Sequence, residues 1–339
     1  MTNLSDLLPA GSGAKSATFT ASGNLATGET VALQSDGTVI AVSETSASTG
    51  SVTNFDSGTA QTYQTQSVVY DVSQNKILIT YADQGNSSYI TGVVGTVSGT
   101  SISFGTPTVI DSSGVNASAS VYCPDISKTC CFFKKSSNNY TEAKVITISG
   151  TSISFSGASG LSTPNREAMS PVFDPDNNKV IFNYRDESNS RYGTTQVCTV
   201  TSTTVTAATA VVWASVYAGG NRFGAVYDTL NDKVVVSYIQ DTATPRGKSV
   251  VGTVSGTSTS WGTPVEFNAA EVGNVDAAFD SNANKVVVVY RDAGSGSDGT
   301  VVVGTVSGTS ISFGSETVTL VVRLVTKRLF MTLALRNRC

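Results

Sequence analysis

Along most of this chain the apolar residues fall into strict alternations and short unbroken runs rather than into the three-and-four spacing of a helix. Residues 101–104 and 310–313 both read Ser-Ile-Ser-Phe, the period-two pattern of a strand with one face against a neighbour. Residues 285–290, Lys-Val-Val-Val-Val-Tyr, form a β-branched run that predicts a strand with both faces covered. Between such segments stand Ser-Gly pairs at 98–99, 149–150, 255–256 and 307–308, which predict tight hairpins with glycine at the positive-φ position.

These segments repeat. Residues 93–107 read VVGTVSGTSISFGTP, 250–264 read VVGTVSGTSTSWGTP and 302–316 read VVGTVSGTSISFGSE, with a fourth copy at 144–157 and a worn fifth at 195–206. Aligned on Val97, Ile148, Val200, Val254 and Val306, the copies step by 51, 52, 54 and 52 residues. A second signature lies upstream in each unit, where an aromatic and usually an acid precede a polar turn and a β-branched run: YDVSQNKILITYAD (70–83), YCPDISKTCCFFKK (122–135), FDPDNNKVIFNYRD (173–186), YDTLNDKVVVSYIQD (227–241) and FDSNANKVVVVYRD (279–292). Its steps, 52, 51, 54 and 52, give the same period of about 52 residues.

Four short strands in a unit of this length match the blade of a β-propeller. The predicted fold is therefore all-β: a propeller of four-stranded antiparallel blades with five units visible. Phe104, Phe155, Trp261 and Phe313 recur at one position and are expected to wedge between blades. Three regions follow: 1–50 as a β-rich attachment segment and linker, 51–316 as the propeller, and 317–339 as a divergent tail. The first should contain a hairpin, 31–33 against 39–41, around Ser35-Asp36-Gly37. The NFDSGTA stretch (54–60) echoes EFNAAEVGN (266–274), which suggests an outer strand that closes the ring with the last blade. The tail has no Gly, Ser or acid but five basic residues, Arg323, Lys327, Arg328, Arg336 and Arg338. It reads either as the product of a frame shift near Val318 or as an amphipathic closing element.

Composition narrows the chemistry. The 339 residues include no histidine, which removes Ser-His-Asp triads, Cys-His pairs and His-containing zinc sites. A formal net charge of −4 offers no general field for nucleic acid. The N-terminus lacks the basic and apolar regions of a signal peptide, and no bilayer-spanning apolar run is present. The five cysteines lack C-x-x-C spacing and read as free thiols, apart from a disulfide option between Cys123 and Cys130 or Cys131. The Asp174-Pro-Asp176-Asn-Asn178 turn begins like a calcium loop but lacks its later Gly and Glu, so a polar turn is the expectation. No phosphate loop is found, and neither metal nor cofactor is expected.

Loops that follow the second strand of each unit carry the candidate binding residues, because loops on a rigid scaffold carry function. They hold Asp83, Asp186, Asp241 and Asp292, with Arg185, Arg191, Tyr192, Arg246 and Arg291 nearby. Such groups on one face suit sugar hydroxyls or charged groups of an envelope polysaccharide. The plainer alternatives are aspartates that cap their own turns and arginines in solvent. A glycoside hydrolase needs two carboxylates and no histidine, but no pair among Asp186, Glu187, Asp241 and Asp292 stands out. No catalytic residue is assigned, and a non-enzymatic role is expected.

The opening NLSDLLPAGSGAKSATFTASGNLATGETVALQSDGTVIAV resembles N-termini of structural proteins of tailed bacteriophages, particularly marine ones. The VVGTVSGTSISFGTP repeat is similar to propeller repeats of such virion and tail-fibre-type proteins. This resemblance implies a virion appendage, made in the host cytoplasm. Its N-terminal segment would attach to other virion proteins, and its propeller would face a host-surface glycan or another virion protein, singly or as a homo-oligomer. A purely architectural propeller and a polysaccharide hydrolase stay open beside it.

Overall fold

The computed structural model describes residues 19–25, 31–41, 50–58, 65–161 and 165–320. The chain divides into two units, Met1–Ser51 and Val52–Cys339. In the first, Val31–Leu33 pairs antiparallel with Val39–Ala41, as the pattern predicts. Gly37 adopts φ +82° in the turn, and the Asp36 carboxylate accepts the Thr38 amide at 2.9 Å.

The described residues of the second unit form five antiparallel blades, one per repeat, which join into sheets of nine, nine and five strands. Blade one comprises Ser67–Asp71, Lys76–Asp83, Tyr89–Ser98 and Ser101–Phe104 from the inside outwards. The second and third strands of the next four blades are Lys128–Lys135 and Thr141–Ser149, Lys179–Asp186 and Tyr192–Val200, Lys233–Gln240 and Arg246–Ser255, and Lys285–Asp292 and Asp298–Ser307. Two long strands, Thr108–Cys123 and Val211–Asp228, start at the outer edge of one blade and end as the innermost strand of the next. Innermost strands of successive blades lie side by side, from Ser67–Asp71 through Arg166–Asp174 to Val272–Asp280. The described residues contain no α-helix.

Local chemistry explains the recurring motifs. The acid of the aromatic-Asp pair accepts backbone amides two and three residues on: Asp174 takes Asp176 and Asn177, and Asp228 takes Leu230 and Asn231, at 3.0 to 3.1 Å. Asp71 and Asp280 do the same in blades one and five. The residue before the lysine is left-handed every time, at Asn75, Ser127, Asn178, Asp232 and Asn284, with φ between 50° and 55°. Asn and Asp tolerate that region, which accounts for the Asn-Lys signature. The calcium-like turn is thus one of these capped turns, with Asp174 fully buried. At the opposite hairpin Gly99, Gly150, Gly256 and Gly308 have φ between 58° and 62°.

Two expectations are corrected. The fourth strand is not one piece: after Ser258–Trp261 a second stretch, Val265–Asn268, pairs with the other half of the same third strand. In blade five that stretch is Thr317–Leu320, which pairs with Gly299, Thr300 and Val301. The sheet therefore extends four residues past Glu316, and among the described residues of NFDSGTA none pairs with it. Composition drew the boundary at Glu316, but strand pairing follows the alternation of Thr-Val-Thr-Leu, which is indifferent to the missing Gly, Ser and acids. Residues 321–339, on which the frame-shift reading falls, lie outside the described residues.

Four core clusters fill the spaces between blades. Cys123, Cys130, Cys131 and Cys198 are free and buried among them. Burial pushes the thiols of Cys123 and Cys198 up to about 12 and that of Cys131 to about 11, so they behave as small hydrophobes.

Candidate functional site

The candidate residues all lie where a second strand turns into a third, at one end of the blades. Asp83, Asp186 and Asp292 end their strands, and Tyr192 and Arg246 begin theirs. Asp186 accepts the Ser188 amide at 2.9 Å and Asp292 the Ser295 amide at 3.1 Å, so both cap their own turns. Asp241 is one residue out of step. By strand register Gln240, opposite Arg246, takes the place held by Asp83, Asp186 and Asp292 in their blades.

The arginines have distinct surroundings. Arg185 is buried and ties three groups together: it donates to Glu167 at 2.6 Å, pairs with Glu187, and donates to the Gly220 carbonyl in blade four at 2.7 Å. Glu167 also receives Lys134 of blade two at 2.7 Å. Burial alone would raise the Glu167 carboxyl, but the hydrogen bond and charge of Lys134 and the charge of Arg185 outweigh it and hold the group below its ordinary value. Arg191 lies over the Tyr217 ring and donates to Glu187 at 3.0 Å. Arg246 pairs with Glu266 at 3.1 Å. Arg185 and Arg191 thus share one network, whereas Asp83, Asp241, Arg246, Arg291 and Asp292 belong to other blades.

A different constellation escaped the sequence reading. Trp213, from the outer edge of blade three, lies edge-on to Tyr238 at 4.9 Å and 6.2 Å from Trp261, both of blade four. One blade further on, Phe267 stands 5.1 Å from Tyr290 and 5.6 Å from Phe313. Before blade one, Phe55 stands 5.0 Å from Tyr81 and 6.2 Å from Phe104. The NFDSGTA echo is therefore a shared local structure: Asp56 caps Gly58 as Asn268 caps Ala270. Trp261 and Phe313 wedge against the preceding blade as expected, whereas Phe104 packs on Phe55 of the stretch before blade one; Phe155 is 39% exposed, with the Lys144 ammonium 4.9 Å above its ring.

Glycines at the start of the third strand make room for the aromatics. A side-chain carbon at Gly193 would strike the Trp213 ring, and one at Gly247 would strike Phe267. That pairing of glycine with a preceding outer-edge aromatic is the signal that could have located the constellation. Ile110 and Leu161 are the buried apolar residues of the corresponding outer stretches in blades one and two.

Two of these junctions open into cavities. Between blades three and four a cleft of about 310 Å³ is lined by Trp213, Tyr238, Gln240, Lys248, Thr263 and Pro264. Between blades four and five one of about 490 Å³ is lined by Glu266, Phe267, Asn268, Asp292, Ser295 and Glu316. They are the same place one repeat apart: Trp213 corresponds to Phe267, Gln240 to Asp292 and Pro264 to Glu316. Both volumes fall in the range of small-ligand sites. The second cleft is acidic, and Asn268 donates to the Tyr290 hydroxyl at 3.3 Å on its wall. The first has no carboxylate on its lining and contains a lysine. An aromatic wall with several hydrogen-bonding groups suits a polar ring such as a sugar unit. Among the described residues no group of three or more Cys, Asp or Glu side chains is placed to hold a metal ion.

No family model and no curated protein sequence matches the chain. Among solved structures, the BP39L lectin from Burkholderia pseudomallei matches over 76% of this chain and 71% of its own, with a TM-score of 0.58 at 11% identity. Kuenenia stuttgartiensis hydrazine synthase matches over 76% and 80% with a TM-score of 0.42 at 11% identity. An α-L-arabinofuranosidase from Lactobacillus brevis matches over 73% and 87%, with a TM-score of 0.42 at 10% identity. The lectin likeness and the repeated antiparallel blades make the fold an all-β propeller.

Proposed function

We propose that this protein is a non-enzymatic, carbohydrate-binding propeller that takes sugar units in the clefts between its later blades. The observation that carries this reading is the pair of equivalent clefts one repeat apart, each with an aromatic wall and polar lining. Repetition of one modest site suits recognition of a polymer, where affinity grows through multivalency. The Burkholderia lectin has the same fold, which is support by analogy. The phage resemblance of the N-terminal segment and of the repeats adds the setting: a virion appendage that presents the propeller to the envelope polysaccharide of a host, with residues 1–50 toward the particle.

The test is binding of the full chain to a panel of bacterial surface polysaccharides, with label placed on purified particles by an antibody to the propeller. Saturable binding, weakened by Gln240→Ala and Asn268→Ala, supports the reading; no binding to any member overturns it. A hydrolase keeps one specific observation in its favour, the meeting of Glu266, Asp292 and Glu316 around one cleft. Asp292, however, is occupied in its turn cap. Release of reducing ends, lost in Glu316→Gln, would replace binding by hydrolysis.

A further inference from the structure

The two clefts differ in a way the repeat itself exposes. In blades one, three and five a threonine stands directly across the strand pair from the tyrosine that recurs in the repeat: Thr91 opposite Tyr81, Thr194 opposite Tyr184, Thr300 opposite Tyr290. In blade four that position is Lys248, opposite Tyr238. Two residues after the tyrosine the same three blades have aspartate, and blade four has Gln240. Both departures raise the local charge, and both line the same cleft.

The walls of that cleft also carry donors with nothing to donate to. The Trp213 indole N–H and the Tyr238 hydroxyl are buried without a hydrogen-bond partner, in residues 4% and 0% exposed. In blades three and five the corresponding phenols are engaged, Tyr184 reaching Gln196 at 3.4 Å and Tyr290 accepting from Asn268, whereas in blade one the Tyr81 hydroxyl is also without a partner. Burial keeps the Tyr238 phenol protonated and so a donor at any physiological pH. An unpaired buried donor is costly, and a ligand acceptor removes that cost. Trp213, Tyr238 and Lys248, the residues that carry the indole N–H, the phenol O–H and the ammonium, all line one small cleft whose lining holds no carboxylate. In the next cleft Glu266, Asp292 and Glu316 repel an anion.

We propose that the cleft between blades three and four selects a carboxylate-bearing sugar, with Lys248 as the charge partner and Trp213 and Tyr238 as neutral donors. This rests on the carbohydrate-binding reading and adds the class of sugar. Charge-assisted hydrogen bonds to the carboxylate supply the preference.

The experiment measures binding of the full chain to a glucuronate-containing polysaccharide, to the same polymer after carboxyl reduction to glucose, and to a sialylated oligosaccharide. The expected result is binding about tenfold weaker after carboxyl reduction. Lys248→Thr, which restores the residue of blades one, three and five, should abolish the preference for the acidic polymer over its reduced form. Tyr238→Phe removes an unpartnered hydroxyl, so it should fold at least as stably as the parent and still lose affinity for the acidic polymer. A preference for the sialylated ligand that is lost in Lys248→Thr supports the site and identifies the sugar. Equal binding before and after reduction, or a preference that survives both substitutions, overturns the site while sugar binding stands. No binding to any of the three overturns both.

Discussion

Blades three and five are built from nearly the same words, FDPDNNKVIFNYRD and FDSNANKVVVVYRD, and yet they are held differently. In Lys179–Asp186 every residue after the lysine is buried, whereas in Lys285–Asp292 buried and half-buried positions alternate. Blade three has a neighbour on each face; among the described residues blade five is covered only on the side of blade four. The arginines show the consequence. Arg185 has Glu167, Glu187 and the Gly220 carbonyl of the next blade. At the matching places Arg291 has Gly273 and Ala293, and its Nε is buried without a partner. Gly262 is pressed against the Thr309 carbonyl of blade five, while Gly314 has only its own blade's Val303 carbonyl, at 3.8 Å from where a side-chain carbon would stand. In a stacked repeat the same residue is worth what the adjoining unit makes of it.

The comparison can be broken most directly in the core. Ile181→Ala should cost about 2–5 kcal/mol in denaturant unfolding, and its counterpart Val287→Ala about 1 kcal/mol or less, because only the first empties a space enclosed on all sides. Equal losses would mean that blade five's second face is covered. Next comes charge: Arg185→Met should cost about 3 kcal/mol by taking one of two cationic partners from both Glu167 and Glu187 and the donor from the Gly220 carbonyl, whereas Arg291→Met should stay within about 0.5 kcal/mol. At the blade contacts, Gly262→Ala should cost about 1–3 kcal/mol by overpacking, and Gly314→Ala should be neutral within about 0.5 kcal/mol.

The smallest effect is on the pH profile. Asp111 is held below its ordinary value: burial opposes this, but hydrogen bonds from Lys144 and Ser113 and the lysine's charge prevail, as Lys134 and Arg185 prevail at Glu167. A carboxyl lowered in the folded state stabilises above its unfolded value and loses that contribution as pH falls through the folded one. Stability should therefore hold from pH 7 to 5 and decline below about pH 4. Glu167→Gln should flatten part of that decline in melting curves, whereas Glu266→Gln, in the exposed pair with Arg246, should leave its shape unchanged.

Much of the fold was legible because the signals are local. The aromatic-Asp turns, the left-handed Asn before lysine and the Ser-Gly hairpins each satisfy their hydrogen bonds within a few residues, so a string of letters contains both partners. The candidate site was less legible. Asp186 and Arg185 stand side by side in the chain; one caps a turn, and the other crosses to a strand some 35 residues on. Asp241 looked like the fourth member of its series, but the strand register gives that place to Gln240.

By itself the sequence determined the period, the strands, the turns and the number of repeated units, since each rests on short-range backbone chemistry. Only the tertiary structure decided which faces are covered, which arginine is a tie, and where aromatics from two blades leave a cleft. Those outcomes depend on side chains about 50 residues apart meeting across a blade junction, and the repeat makes every junction look alike until its occupants are in place.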